Sequence, residues 1–333
     1  MKREMTAAII GIGYIGKEHL AVLKEKVSRI ILCDPNEKEG AVFAKLNGCE
    51  FYADYRRMLE EVTPDFACVC VPTPLHARIT CELLRRGVNV LCEKPFATER
   101  EDAVRMIETA KMTKRLLMVG HCVRFSPYYE YLRMCFADER FGKAKYVKLF
   151  RHSKAPAWSA GNWLQDVSKS GGVVMDLHIH DTDFIRSLLG IPRAVSTSGY
   201  YGSCSTVYDY GKDICVTADA TWRQVSGFDF IAGYDVVFEN AAIQYENGEI
   251  AVYYNGATYD PIKTENFPSY IEGDNIYNNE IEYFIQCLEK NEKPLVCPPE
   301  ESLDSLTINL AEIKSLVHRK REDTSQRYSP CGI

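Results

Sequence analysis

The sequence predicts two domains of different class. The first is an α/β domain on a doubly wound parallel sheet over residues 1–121; the second is an α+β domain with a largely antiparallel open sheet over residues 122–333. Three observations predict this. Up to residue 121, short apolar runs without period-2 alternation alternate with amphipathic stretches, the pattern of parallel strands buried on both faces and joined by helices. From Ala194 to Tyr254 the chain is rich in β-branched and aromatic residues, and Asn247-Gly248 between two such runs marks a hairpin. A length of 333 residues also suits two cores, at about 100–200 residues per domain.

Taken in order, Thr6–Ile10 reads as a strand, Ile15–Lys26 as a helix, Arg29–Cys33 as a strand and Glu37–Leu46 as a helix. Phe66–Val71 is a third buried strand, His76–Arg86 a helix, Val88–Cys92 a strand, Glu99–Thr113 a helix and Leu116–Gly120 a strand. In the second domain Tyr128–Phe136 and Val173–Leu189 read as helices, Ile214–Trp222 and Tyr234–Phe238 as strands, and Asn275–Glu289 and Glu300–Arg319 as closing helices.

Bulk properties exclude several classes of partner. A formal charge of -6 and a pI of about 5.8 give no attraction to nucleic acid or an anionic membrane. No apolar run approaches the roughly 20 residues that span a bilayer. The apolar stretch after the N-terminus is broken by Gly11 and Gly13, as in a strand and turn, so the expected location is the cytoplasm. The thirteen cysteines are scattered, with no C-x-x-C pair and no zinc-like spacing, and read as reduced core thiols.

Gly11-Ile12-Gly13-Tyr14-Ile15-Gly16 is a G-x-G-x-x-G that follows a strand and opens a helix, with Asp34 at the end of the next strand. That context is the one a dinucleotide needs. Glycines permit the tight turn and close backbone approach, and the pyrophosphate meets the helix N-terminus. Asp34 accepts hydrogen bonds from ribose hydroxyls and repels a 2′-phosphate, and Pro35 and Asn36 supply no compensating cation, so the expected cofactor is NAD. Ligands lie beyond the carboxyl ends of such strands. Pro72, Thr73, Pro74 and His76 therefore belong to the cofactor groove, as do Glu93 and Lys94, with His76 alternatively a locally bonded helix-start residue. Lys94 stands where the nicotinamide is expected, near a substrate hydroxyl or carbonyl.

The densest polar cluster runs from Gly171 to Asp183. On a helix Asp176, His180 and Asp183 share one face, while His178 and Asp181 point elsewhere. Removing hydride from a carbon requires the attached hydroxyl to lose its proton, and a histidine titrating near neutrality suits that task. Asp176 would orient the imidazole, and the Lys94 ammonium would stabilise charge developing on the oxygen.

These four motifs together resemble the glucose-fructose oxidoreductase/inositol dehydrogenase (Gfo/Idh/MocA) family: GIGYIG with Asp34, TPLH at Thr73–His76, EKP at Glu93–Pro95, and Gly171-Gly172 followed by Asp176 and His180. The resemblance implies a Rossmann domain and an α+β domain whose open sheet mediates homodimers or homotetramers. It implies a sugar, cyclitol or related polyol as substrate, and it makes Lys94, Asp176 and His180 the catalytic set. Glu93 and Thr73 match positions near the cofactor. Arg124, Trp163 and Asp166 match stretches that line the substrate pocket, His180 included, and the loop from His152 to Gly172, with Trp158 and Trp163, would stack on sugar faces. His178 stands as either a substrate contact or a packed residue. Competing readings are a metal-dependent hydrolase using His178-Ile179-His180, an enzyme that oxidises transiently and then eliminates with no net redox change, and a non-catalytic NAD- or sugar-binding module. The expected metal set is none.

Overall fold

In a computed structural model the described residues are 2–156, 160–211, 213–223, 225 and 227–324. They form two compact units. The first takes in the chain up to Cys122, a short stretch ending at Trp163, and Asn275–Leu303; the second holds the described residues from Val123 to Asp274 otherwise, and those from Asp304 onward.

The first unit runs β1 (Arg3–Ile10), α1 (Tyr14–Lys26), β2 (Val27–Cys33), α2 (Glu37–Asn47), β3 (Glu50–Tyr52), α3 (Tyr55–Glu61), β4 (Phe66–Val69), α4 (His76–Arg85), β5 (Asn89–Glu93), α5 (Arg100–Thr113) and β6 (Leu117–Gly120). The strands make one parallel sheet in the order β3-β2-β1-β4-β5-β6. Ala7–Ile10, Phe66–Val69 and Leu117–Gly120 are buried at every position, which is why their apolar runs are continuous. The order reverses between β1 and β4, and the carboxyl ends there open a crevice for a dinucleotide. The short β3 and α3 carry too few apolar residues to stand out in the sequence.

Asn275–Leu303 groups with this unit, and its attachment is ionic as well as apolar. On the helix Ile276–Lys290, Glu282 meets Arg3 at 2.6 Å and Lys26 at 2.8 Å, and Gln286 donates to it at 3.1 Å. Phe284 packs edge-on against Phe66 with ring centroids 5.8 Å apart.

The second unit runs α6 (Pro127–Ala137), β7 (Ala144–Lys154), α7 (Val167–Ser170), a π-helical turn (Val174–His178), α8 (Ile179–Leu189), β8 (Ala194–Tyr200), β9 (Ser203–Asp209), β10 (Cys215–Arg223), β11 (Ile231–Phe238), β12 (Ala241–Glu246), β13 (Glu249–Tyr254) and β14 (Ala257–Tyr259). The helix of the first unit is α9; then come α10 (Pro299–His318) and β15 (Glu322–Asp323). The sheet order is β14-β13-β12-β11-β7-β10-β9-β8-β15. All its pairs are antiparallel except β7 with β10. Asn247 and Gly248, both at positive φ, close the β12–β13 hairpin as the sequence predicts. Val147, Leu149, Tyr234 and Val236 of the sheet, Tyr131 and Leu132 of α6, Phe184 of α8 and Ile308 of α10 share one core. The central strand β7 is absent from the sequence reading because its inward row, Val147, Leu149, Arg151, ends in a charge. Arg151 is buried and meets Asp181 at 2.8 Å. The helix read over Val173–Leu189 is present, but Val174–His178 within it form the π turn.

Glu282 gives a pH prediction. Burial alone would raise its carboxyl, but hydrogen bonds from Arg3, Lys26 and Gln286 outweigh that and bring it from the ordinary 4.5 down to about 2. A depressed acid contributes stability that is full above its unfolded value and is lost as pH falls through the folded one. Urea unfolding midpoints should therefore decline between about pH 4.5 and about pH 2 in the native protein and flatten over that window in E282Q. At pH 7 E282Q should be less stable by roughly 1–3 kcal/mol.

Candidate active site

The first unit carries a nucleotide cradle. Gly11 follows β1 at φ 96°, and a Cβ there would lie 2.6 Å from the Cys70 carbonyl oxygen; a Cβ at Gly16 would lie 2.1 Å from the Gly11 oxygen. Neither position admits a side chain. At Gly13, by contrast, a Cβ would meet nothing within 4 Å, so the missing side chain keeps the approach to α1 open. Gly13 caps α1 without a side-chain hydrogen bond, and the first turn carries no acidic residue. The positive end of its dipole, with no acidic side chain to offset it, favours an anion there. Tyr14 is exposed and Ile15 half-buried on that turn. Asp34, just past β2, accepts from the Ile12 amide at 2.8 Å through Oδ2 and from the Asn36 amide at 2.9 Å through Oδ1, which fixes its carboxylate beside the glycine turn.

Two further strand ends complete this half. Pro72 leads into the turn Thr73–Leu75, with Thr73 buried and Pro74 exposed. His76 is buried, with Nδ1 2.9 Å from the Pro95 carbonyl oxygen and Nε2 2.9 Å from that of Val71. Burial pushes its imidazole below the ordinary range, against the pull of those carbonyls. It shapes the groove by joining two turns; both ring nitrogens face backbone. Glu93 ends β5 and is buried, with Oε1 2.8 Å from His19 Nε2 and Oε2 accepting from the Lys94 amide at 3.2 Å. Lys94 itself is half-buried, and the Lys94–Pro95 peptide is cis. Glu280 approaches from α9, and single ligand atoms of His19, Glu93 and Glu280 lie within 4.8 Å of one another. Burial, with the Glu93 charge beside it, drives the Glu280 carboxyl well above the usual carboxylate range. A histidine and two carboxylates can ligate a cation. With Glu280 protonated and His19 paired to Glu93, the cluster also closes its charge with protons alone.

The second unit carries the other polar set. Gly171 and Gly172 take φ 72° and 69°, and a Cβ on Gly172 would lie 2.6 Å from the Tyr201 carbonyl oxygen, so this entry to the π turn requires glycine. Over residues 172–185 every residue is buried except Asp176 and His180, one turn apart. Asp183, read on the same face, is buried instead. Arg124 forks onto it, with Nε at 2.7 Å and Nη2 at 2.8 Å, and Ser305 donates to it at 2.7 Å. Arg124 is only 3% exposed, so the residue the resemblance implies for the pocket has its guanidinium held in an internal ion pair. His178 is a packed residue. It is fully buried, with Nε2 3.0 Å from Thr206 Oγ1 and 3.2 Å from the Tyr208 hydroxyl, and burial pushes its imidazole down to about 4. His178 and His180 therefore diverge, which removes the geometry an H-x-H metal pair needs. Trp163 is half-buried in the turn Ala160–Gln165. Asp166 opens α7 through its carbonyl and pairs with Lys169 at 2.8 Å. Trp158 lies outside the described residues.

Comparison with known families decides the assignment. Residues 5–121 match the model of an oxidoreductase family with an NAD-binding Rossmann fold, and residues 129–258 match the GFO/IDH/MocA C-terminal domain. The chain belongs to the Gfo/Idh/MocA oxidoreductase family. Among its relatives is the inositol 2-dehydrogenase of Rhizobium meliloti, 27% identical over 94% of this chain and 97% of its own. The 2,7-anhydro-N-acetylneuraminate hydratase of Mediterraneibacter gnavus is 28% identical over 58% of this chain and 51% of its own. In fold the chain is similar to a probable dehydrogenase from Thermotoga maritima, with TM-score 0.81 at 22% identity over 97% of this chain and all of the other. It is also similar to a levoglucosan dehydrogenase solved with NADH and levoglucosan, with TM-score 0.84 at 17% identity over 97% and 100%.

Within this Gfo/Idh/MocA member the glycine cradle and Asp34 fit NAD. His19 and Glu280, beneath Glu93, and Asn309 and Glu312, behind the π turn, are among the buried polar residues that sequence reasoning missed. Their one signal is polar side chains on helices at spacings of three and four. The cradle is testable. Gly16→Ala should weaken NAD binding by about tenfold or more, because the Cβ displaces backbone. Gly48→Ala, at the left-handed C-cap of α2, strains the backbone but places a Cβ against nothing, and should leave NAD binding of the folded protein unchanged in the same fluorescence titration.

Proposed function

We propose that this protein transfers hydride between NAD and a secondary hydroxyl or ketone of a sugar, cyclitol or related polyol, with Lys94, Asp176 and His180 as its catalytic residues. One observation carries the reading: along residues 172–185 of a buried helical stretch, only an aspartate and a histidine at i and i+4 are half-buried rather than buried. The turns after β1, β2, β4 and β5 would hold NAD, which would supply the hydride acceptor. His180 takes the hydroxyl proton as the C–H electron pair leaves with the hydride, and Asp176, one turn earlier, favours the imidazolium that forms. The Lys94 ammonium donates to the same oxygen and stabilises its developing negative charge. Polyol substrates are supported by the names of the relatives, an inositol dehydrogenase and a levoglucosan dehydrogenase. The hydratase among them supports a second reading, in which the hydride is returned after an elimination. The proposal includes a homodimer or homotetramer through the open sheet, where Val207, Val237 and Tyr253 are exposed.

The test is a panel of inositols, hexoses and anhydrosugars assayed for NADH by absorbance and for product by mass spectrometry. Net NADH formation supports the dehydrogenase; product that has gained or lost the elements of water, without NADH, supports the second reading. Lys94→Ala and His180→Ala should each lower kcat by about 10²–10⁴-fold while the Kd for NAD stays within about threefold. Undiminished turnover in either variant would remove that residue from the mechanism.

A further inference from the structure

We infer that Asn309 and Glu312 of α10 are positioning residues for Asp176 and His180, forming a buried clamp that grips their helix on both sides of the pair. Asn309 Nδ2 donates to the carbonyl oxygen of Val174, the first residue of the π turn, at 2.9 Å, and to Glu312 Oε2 at 2.8 Å. Thr182 Oγ1, just beyond His180, lies 2.9 and 3.1 Å from the two Glu312 oxygens. The two grips, Val174 and Thr182, bracket Asp176 and His180 in sequence. Asn309, Glu312 and Thr182 are all fully buried, so each hydrogen bond forms without competing water.

The bracket matters because of what it encloses. A π turn is wider than an α turn and less stable by itself, and it persists where the surroundings hold it. The junction between the π turn and α8 falls at His178–Ile179, between Asp176 and His180. A slip at that junction would rotate one member of the pair against the other. His178 adds a third fastening within the junction, to Thr206 and Tyr208 on β9. Glu312 is faced by Tyr208, Thr182 and Asn309, with His178 3.8 Å away and Asp181 adding a repulsive charge. Burial, first among these influences, pushes its carboxyl up to about 8, so near neutrality it is mostly protonated and adds little charge to the site. Its contribution is hydrogen bonding.

This inference rests on the proposed function, and its test separates the two. The NAD-saturated protein, labelled with [¹³Cε1]histidine, is titrated by NMR, and the His180 signal is assigned by its loss in H180N. N309A and E312A should move the His180 midpoint by about half a pH unit or more, because its geometry to Asp176 changes. With the best substrate of the panel, both should cut kcat by about tenfold or more with KM within about threefold, and the Kd for NAD should not change. E312Q keeps the acceptor for Thr182 and Asn309 and should restore both the midpoint and kcat. T182V, close in shape, stands in for any variant that does not fold. The clamp is overturned if folded N309A, E312A and T182V keep the native midpoint and turnover, or if E312Q is no better than E312A. Undiminished turnover in H180A is a different result and removes the catalytic assignment itself.

Discussion

Asp181, Thr182 and Asp183 are three consecutive polar residues on α8, all buried. Successive side chains on a helix diverge by about 100°, so no single neighbour can serve all three. Arg151 of β7 meets Asp181, Glu312 of α10 meets Thr182, and Arg124 with Ser305 meets Asp183. The partners come from β7, from α10 and from the turn that carries Arg124, and an unpartnered carboxylate in that interior would be severely destabilising. The requirement fixes the rotation of α8 about its axis. Once that rotation is set, His180 has one direction left to it, the open one.

The first unit meets an equivalent demand with backbone. Where β1 turns into α1, the chain passes so close to itself that Gly11 and Gly16 exclude any side chain, and Gly13 leaves the helix start open. The Asp34 carboxylate is already held by two amides of neighbouring turns, so its orientation does not wait for a ligand. Beneath β5, His19 and Glu280 lie close to Glu93, all three buried. Asp34 and Glu93 are therefore both set by the protein's own hydrogen bonds, and little rearrangement is required of them on binding.

Legibility in the sequence followed the range of the interactions. The glycine turn and Asp34 are local, with every requirement within one strand-turn-helix-strand, and they were readable in full. Asp176 and His180 lie four apart on a strongly patterned helix, and their shared half-burial follows from that local spacing. β7 was hidden by Arg151, a charge on its inward face whose partner Asp181 lies far along the chain. The pairing of Arg124 with Asp183 joins residues far apart in the chain, and no local pattern announces it. The π turn leaves the three-and-four spacing of apolar residues intact, so periodicity alone does not distinguish it from an α turn. Asn309 and Glu312 look like the solvated face of an amphipathic helix, and only the fold turns that face inward.

The parallel pairing at the heart of the second sheet has a consequence for how the chain is made. β7 lies between β10 and β11, with Tyr146 opposite Cys215 and Leu149 opposite Tyr234, so both of its neighbours are synthesised well after it. Until they emerge, β7 is a strand with two bare edges, the situation that invites pairing between nascent chains. Lys145, Lys148, Arg151 and Lys154 punctuate it at short intervals. Charges of this kind disfavour edge-to-edge pairing of a bare strand, and the same arginine becomes an internal anchor once Asp181 arrives.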